Sequence, residues 1–148
     1  MKEQAKFELL SIDIDEEYFL KKMKPSEVPN SNDYEWKYHF KFDFLPYKEG
    51  FDLVIVNMSF DLLLSTDLEA DPITYLSLRN SFRVTSNLSN AGKVKTLLIF
   101  IDMTNCNIQG IVAERYNDTL MSQFIPPQLA GTDFSEELLN TVINEWKF

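Results

Sequence analysis

The hydrophobic pattern is sharpest in residues 36–44. There Trp36, Tyr38, Phe40, Phe42 and Phe44 alternate with Lys37, His39, Lys41 and Asp43. Side chains alternate faces along a strand, so this period of two predicts a β-strand with one aromatic face and one polar face. At ~3.3 Å per residue the strand runs about 30 Å. An aromatic face that long needs cover, and the remaining pattern shows what supplies it. Residues 7–14 predict a first strand, although Phe7, Leu9 and Ser11 alternate poorly against Glu8, Leu10 and Ile12. The acidic run Asp13-Ile14-Asp15-Glu16-Glu17 follows and is expected to be a solvated strand end. Residues 21–33 hold two prolines and Asn30-Ser31-Asn32, which predicts a long loop of the kind that is often functional. Pro46, Glu49 and Gly50 mark a turn. Residues 51–64 predict a third strand, with Phe51, Leu53 and Ile55 on one face and Val54, Val56 and Met58 on the other. Residues 74–88 predict a fourth, with Leu76, Leu78, Phe82 and Val84 in phase across Asn80. Short polar turns between them predict an antiparallel meander.

The period then changes. Val94, Leu97, Leu98 and Ile101 sit at helical spacing behind Ser89 or Asn90 as N-cap. Ile99 and Phe100 fall on the opposite side, so this helix is apolar nearly all round and is expected between two surfaces. A fifth strand over Val94 to Met103 is the alternative. A second helix is expected from a cap at Asn107, with Ile108, Ile111, Val112, Tyr116 and Leu120 as its stripe. A last helix is expected near Asp133, where Asp133 and Glu136 have capping-box spacing. Leu138, Leu139, Val142, Ile143 and Trp146 form its stripe. The expected fold is α+β. It is a four-stranded antiparallel sheet, a meander with a long first crossover loop, followed by two to three helices packed on one face. No repeat or linker divides residues 1–148, so a single domain is expected.

Composition narrows the function. Acids outnumber bases 23 to 14, for a net charge of -9, which disfavours a nucleic-acid binder and suits basic partners. A lone cysteine, Cys106, forms no internal disulfide, and the N-terminal residues lack the apolar segment of a signal peptide. A cytoplasmic protein is therefore expected. The longest apolar run, residues 97–101, is far short of a membrane span, so no membrane insertion is expected. The one histidine, His39, lies on the polar face of the aromatic strand, where a surface role is the plain reading. One His and one Cys leave no ordinary zinc set. Cys106 has no basic neighbour to activate it, and none of the four glycines forms a phosphate loop. The expectation is a protein that is not an enzyme and takes no cofactor or metal. What stands out is aromatic surplus: twelve Phe, six Tyr and two Trp. A dense core is the plain reading; a subunit interface or a groove for apolar segments is the functional one.

Strand order, loop placement and following helices together resemble the SecB-type export chaperone family. Phe7-Glu8-Leu9-Leu10-Ser11-Ile12 is similar to its first strand. Phe82-Arg83-Val84 resembles the end of its fourth. Asn107-Ile108, Ala113-Glu114-Arg115 and Pro127-Gln128-Leu129 follow its Asn-Ile, Ala-Arg-Glu and Pro-Gln-Leu with the charged pair inverted, and Phe134 matches an aromatic before the last helix. The resemblance covers residues 6–140. It implies a homo-oligomer, a dimer or a tetramer built as a dimer of dimers. It also implies nucleotide-independent binding of unfolded polypeptide clients in apolar grooves. Client-binding residues would be Phe19, Tyr34, Trp36 and Phe44, on or beside the crossover loop. Leu97, Ile99, Phe100 and Ile101 would form the oligomer interface. The family's zinc-binding tail has no match at residues 144–148, which points to a role outside standard export. One dedicated protein partner, of the toxin–antitoxin or immunity type, is the alternative to many clients. A small-ligand carrier is a third reading, with the aromatic face and the helices enclosing a pocket.

Overall fold

The computed structural model describes residues 5–20, 26, 30–67, 69, 71–129 and 133–147. Strands β1 (Phe7–Phe19), β2 (Tyr34–Pro46), β3 (Phe51–Leu64) and β4 (Thr74–Thr85) form one antiparallel sheet. Helices α1 (Asn90–Tyr116) and α2 (Glu136–Glu145) follow, giving an α+β fold. The sheet order is β1-β4-β3-β2. Strands β2 to β4 make the meander, while β1 lies beyond β4 rather than beside β2. β1 therefore ends, and β2 begins, at the same end of the sheet but on opposite edges. Most of the expected loop 21–33 lies outside the described residues. Its end, Ser31–Asp33, is a single 3-10 turn capped by Asn30, whose Oδ1 accepts from the Asn32 amide at 3.1 Å.

β3 shows why its sequence was so readable. Its even positions Val54, Val56, Met58, Phe60 and Leu62 are buried under the helices, and no bulge interrupts its pairing with β2 or β4. β1 reads poorly for the opposite reason. Register shifts between Leu9 and Ser11 and between Ile14 and Glu16 each insert one residue and reverse the alternation. Across the three segments the helix side carries Phe7 and Leu9, then Ile12 and Ile14, then Glu17 and Phe19, opposite the inward residues of β4. The expected strand end at 14 is corrected: the acidic run 13–17 is strand, paired with β4 as far as Phe19. β4 stops at Thr85, ahead of the expected 88, because Asn87 takes a positive φ of 60° and turns the chain into α1.

α1 is a single helix of 27 residues, which answers the strand alternative and corrects the expected break at Asn107. Ser89 caps it, its hydroxyl accepting from the Gly92 amide at 3.1 Å. The polar residues in its middle are accommodated rather than helix-ending. Thr104 donates to the Phe100 carbonyl at 2.8 Å and accepts from Asn80 at 3.2 Å. Asn105 grips the extended segment after the helix, donating to the Pro127 carbonyl at 3.1 Å and accepting from the Leu129 amide at 2.9 Å. An asparagine costs a helix only tenths of a kcal/mol, and these packed contacts outweigh that. By length and composition α1 matches a membrane span. Its inward face, however, packs on the sheet, and its buried Lys93, Thr96, Thr104 and Asn105 bond within the chain.

α1 lies across β3 and β4, and Phe100 stacks on Phe82 with ring centroids 4.0 Å apart. The C-terminal segment covers β2. Phe134 meets the edges of Tyr38 and Phe40, and Trp146 stacks on Phe44 at 5.3 Å. A buried polar tie fixes this end: the Trp146 indole donates to Asp52 at 2.9 Å, Ser86 donates to the same carboxylate at 2.8 Å, and Lys93 donates to the Trp146 carbonyl at 2.6 Å. α2 starts behind Ser135, whose hydroxyl accepts from Leu138, and not at a box formed by Asp133 and Glu136. Phe82→Ala is expected to lose about 3–5 kcal/mol of stability by urea unfolding, because the stacked Phe100 ring and the sheet beneath cannot both close the cavity; a loss below ~1 kcal/mol would contradict this packing.

Candidate polypeptide-binding surface

The apolar face of the sheet is wider than the helices that cover it. α1 sits over β3 and β4, the C-terminal segment over β2, and β1 runs past the side of α1. In consequence Phe7, Ile12 and Ile14, though on the helix side of the sheet, remain 39–47% exposed. On α1, Ile99 is 38% exposed. Two adjoining grooves flank it. One, of about 440 Å³, is lined by Lys95, Leu98, Ile99, Ile101, Asp102, Leu129 and Phe134. The other, of about 290 Å³, runs from Ile99 and Thr96 to Ala5 and Phe7. Lys95 and Ile99 belong to both. The smaller groove lies between α1 and the start of β1, the larger between α1 and the C-terminal segment, and Ile12 and Ile14 lie further along β1, outside both.

The residues expected to bind clients do not share one place. Phe19, Thr74, Leu62 and Trp36 lie in one row across the four strands, which separates Phe19 from Trp36 by about 14 Å. Tyr34 is one step beyond Trp36. Phe44 lies ten residues from Tyr34 along β2, or about 33 Å away. All four are half-buried and packed against the core: Phe19 on Tyr116, Trp36 on Phe60, Phe44 on Trp146. Of the four expected interface residues, Leu97, Phe100 and Ile101 are buried in the chain's own core, where they cover β3 and β4. Ile99 alone of the four is exposed, so the helix is apolar all round but offers a single narrow outward stripe. Ile12 and Ile14 were missed because the bulges break the period that would have assigned them a common face. Their two-residue spacing was the available signal.

β1 is also the acidic edge. Glu8 pairs with Arg83 at 2.7 Å, Asp15 with Arg79 at 3.7 Å and Glu17 with Arg115 at 3.3 Å. Asp13 and Glu16 add charge that these arginines do not balance. His39 is exposed on the far face of the sheet, opposite Ser59. Cys106 is exposed in the middle of α1, not at a helix end, and its thiol donates to Gln128 Oε1 at 3.5 Å. Among the described residues no group of three or more His, Cys, Asp or Glu side chains is placed to hold a metal ion. Tyr116 is a structural anchor. Its hydroxyl bonds with that of Thr74 and accepts from the Leu20 amide at 3.2 Å, fixing the end of β1, and burial raises its phenol pKa. No protein-family model matches the chain, and no curated protein sequence matches it.

The fold shifts the titration of Asp61. Burial raises its pKa above the ordinary 3.8, and the His39 charge partly opposes this. The folded state thus holds the Asp61 proton more tightly than the unfolded chain does. Its contribution to stability is complete below the ordinary value and is lost as pH rises through the raised folded value. Asp61→Asn is expected to remove that loss, so urea midpoints of the variant should fall less than those of the parent as pH rises through this window. Parallel curves would contradict the burial of this group.

Proposed function

We propose that this chain is a chaperone-like protein of the SecB type, which binds unfolded or non-native polypeptides on apolar surface without nucleotide, as a homo-oligomer in the cytoplasm. The observation that carries the reading is the exposed apolar surface of Phe7, Ile12 and Ile14 on the helix side of β1 and of Ile99 on α1, beside the Phe7 groove and the Leu98, Leu129 and Phe134 groove. Isolated exposed apolar residues are ordinary, but a run of them beside apolar grooves marks an interaction surface. An extended client segment laid along it gains roughly 25 cal/mol per Å² of apolar area covered. Aliphatic and aromatic walls discriminate weakly between sequences, which suits many clients. The exposed stripe at Ile99 also offers a surface for association between copies. The order of elements, with a crossover from β1 to the far edge strand β2, supports the resemblance in layout.

A second reading, one dedicated basic partner, is favoured by the acidic β1 edge. The two readings separate on salt: a charge-led complex weakens steeply as salt rises, whereas apolar holding does not. In a light-scattering assay without nucleotide, the protein is expected to keep two unrelated chemically unfolded proteins soluble at near-stoichiometric ratios. A combined Ile12→Ser, Ile14→Ser and Ile99→Ser variant is expected to lose most of that effect. Because all three sites are exposed, its stability should stay within about 1–2 kcal/mol of the parent. Aggregation of both clients beside the intact protein, or an undiminished effect in the stable variant, would defeat the proposal.

A further inference from the structure

On the face of the sheet turned away from the helices, Tyr18 of β1 and Tyr75 of β4 stand directly opposite each other in register. With Asp71 and Pro72 they line an open depression of about 370 Å³, and among the described residues no basic side chain lines it. Tyr18 is 53% exposed, and among the described residues neither tyrosine ring is stacked against another aromatic ring. Along this row of the far face the register continues from Tyr75 to Asp61 on β3 and Lys37 on β2. The Glu16 carboxylate lies close enough to the Tyr75 phenol to act on its titration, and Asp61 is the register partner of Tyr75 on β3. Asp61 Oδ1 is buried with no hydrogen-bond partner. Burial, followed by the charges of Glu16 and Asp61, raises the Tyr75 pKa, so the ring stays neutral.

Two tyrosine faces, a proline wall and the Asp71 carboxylate, with Glu16 nearby, suit one kind of ligand group. The faces of aromatic rings carry negative potential and attract cations, and a planar guanidinium can stack on them while its N–H groups reach carboxylates. We propose that Tyr18, Tyr75, Pro72 and Asp71 form a cage for an arginine side chain of a bound polypeptide. The cage deepens the polypeptide-binding reading and rests on it. It lies on the opposite face of the sheet from the apolar surface, so a client that passes round the β1 edge reaches both, and one that carries arginine is favoured. The occupant follows from charge: the lining is acidic and the chain as a whole is at -9.

The test uses fluorescein-labelled extended peptides of alternating leucine and arginine, and the same peptides with citrulline, which keeps the shape and removes the charge. Anisotropy titrations with the full chain are expected to show the arginine peptide binding about three- to tenfold more tightly, as a partly desolvated cation–π contact would give. Tyr18→Leu, at an exposed site, is expected to abolish that preference, and Asp71→Asn to reduce it. Equal binding of the two peptides, or a preference that survives Tyr18→Leu, overturns the cage. Loss of self-association in Tyr18→Leu, read by sedimentation, would also overturn it by assigning the cavity to a second copy. Light scattering with unfolded clients separates the two levels. If clients are held but citrulline binds as arginine does, the cage alone fails; if neither peptides nor clients bind, the polypeptide-binding reading fails with it.

Discussion

The seat of α1 on the sheet is the contact on which the rest depends. Phe100 stacked on Phe82, with Thr104 bonded to Asn80 a turn further on, fixes one long helix over β3 and β4. A helix with its side chains is about 10–12 Å across, whereas four strands span roughly 14 Å between the outer axes, before their side chains are counted. One helix therefore covers only the middle of the sheet. The chain solves half of the remaining problem by returning its C-terminal segment over β2, held by Asp52, Trp146 and Lys93. Among the described residues β1 meets α1 at Phe7 and Phe19, while Ile12 and Ile14 between them stay exposed.

That geometry gives the same residue types opposite fates. The five aromatics of β2 look in sequence like the surface most in need of a partner. Tyr38, Phe40 and Phe44 receive one from within the chain, through Phe134 and Trp146, and Trp36 packs on Phe60. The modest isoleucines of β1 and α1 receive none. The acids along β1 fit this arrangement. Edge strands with exposed apolar side chains invite unwanted pairing, and charge along the edge discourages it. The same charge biases what the surface accepts towards basic segments.

How much of this was legible follows from where the pattern is clean. β3 could be bounded to the residue because its alternation is unbroken and both flanking strands pair with it in register. β1 could not, since two bulges reverse its phase and hide that Ile12 and Ile14 look the same way as Phe7. α1 was expected as two pieces because Asn107 resembles a cap, and only its packing beside the Asn105 clamp shows why the helix continues. Ser135 and Asp133 are both competent caps, so the start of α2 was settled by where Phe134 inserts against β2. Aromatic residues could be nominated for binding from sequence, but not their exposure. Phe19, Trp36 and Phe44 could not be recognised as three separate places without the sheet order. Tyr18 and Tyr75 are 57 residues apart and meet only through the pairing of the first strand with the last.

The central claim is that the apolar side chains left exposed on the helix side of β1 and on α1 are where polypeptides are held. Methyl NMR of the isoleucine side chains, recorded with and without a permanently unfolded client, tests it most directly. The account expects Ile12, Ile14 and Ile99 to shift or broaden together while the buried Ile108 and Ile143 stay unchanged. Client-induced changes confined to other methyls, with these three silent, would contradict it.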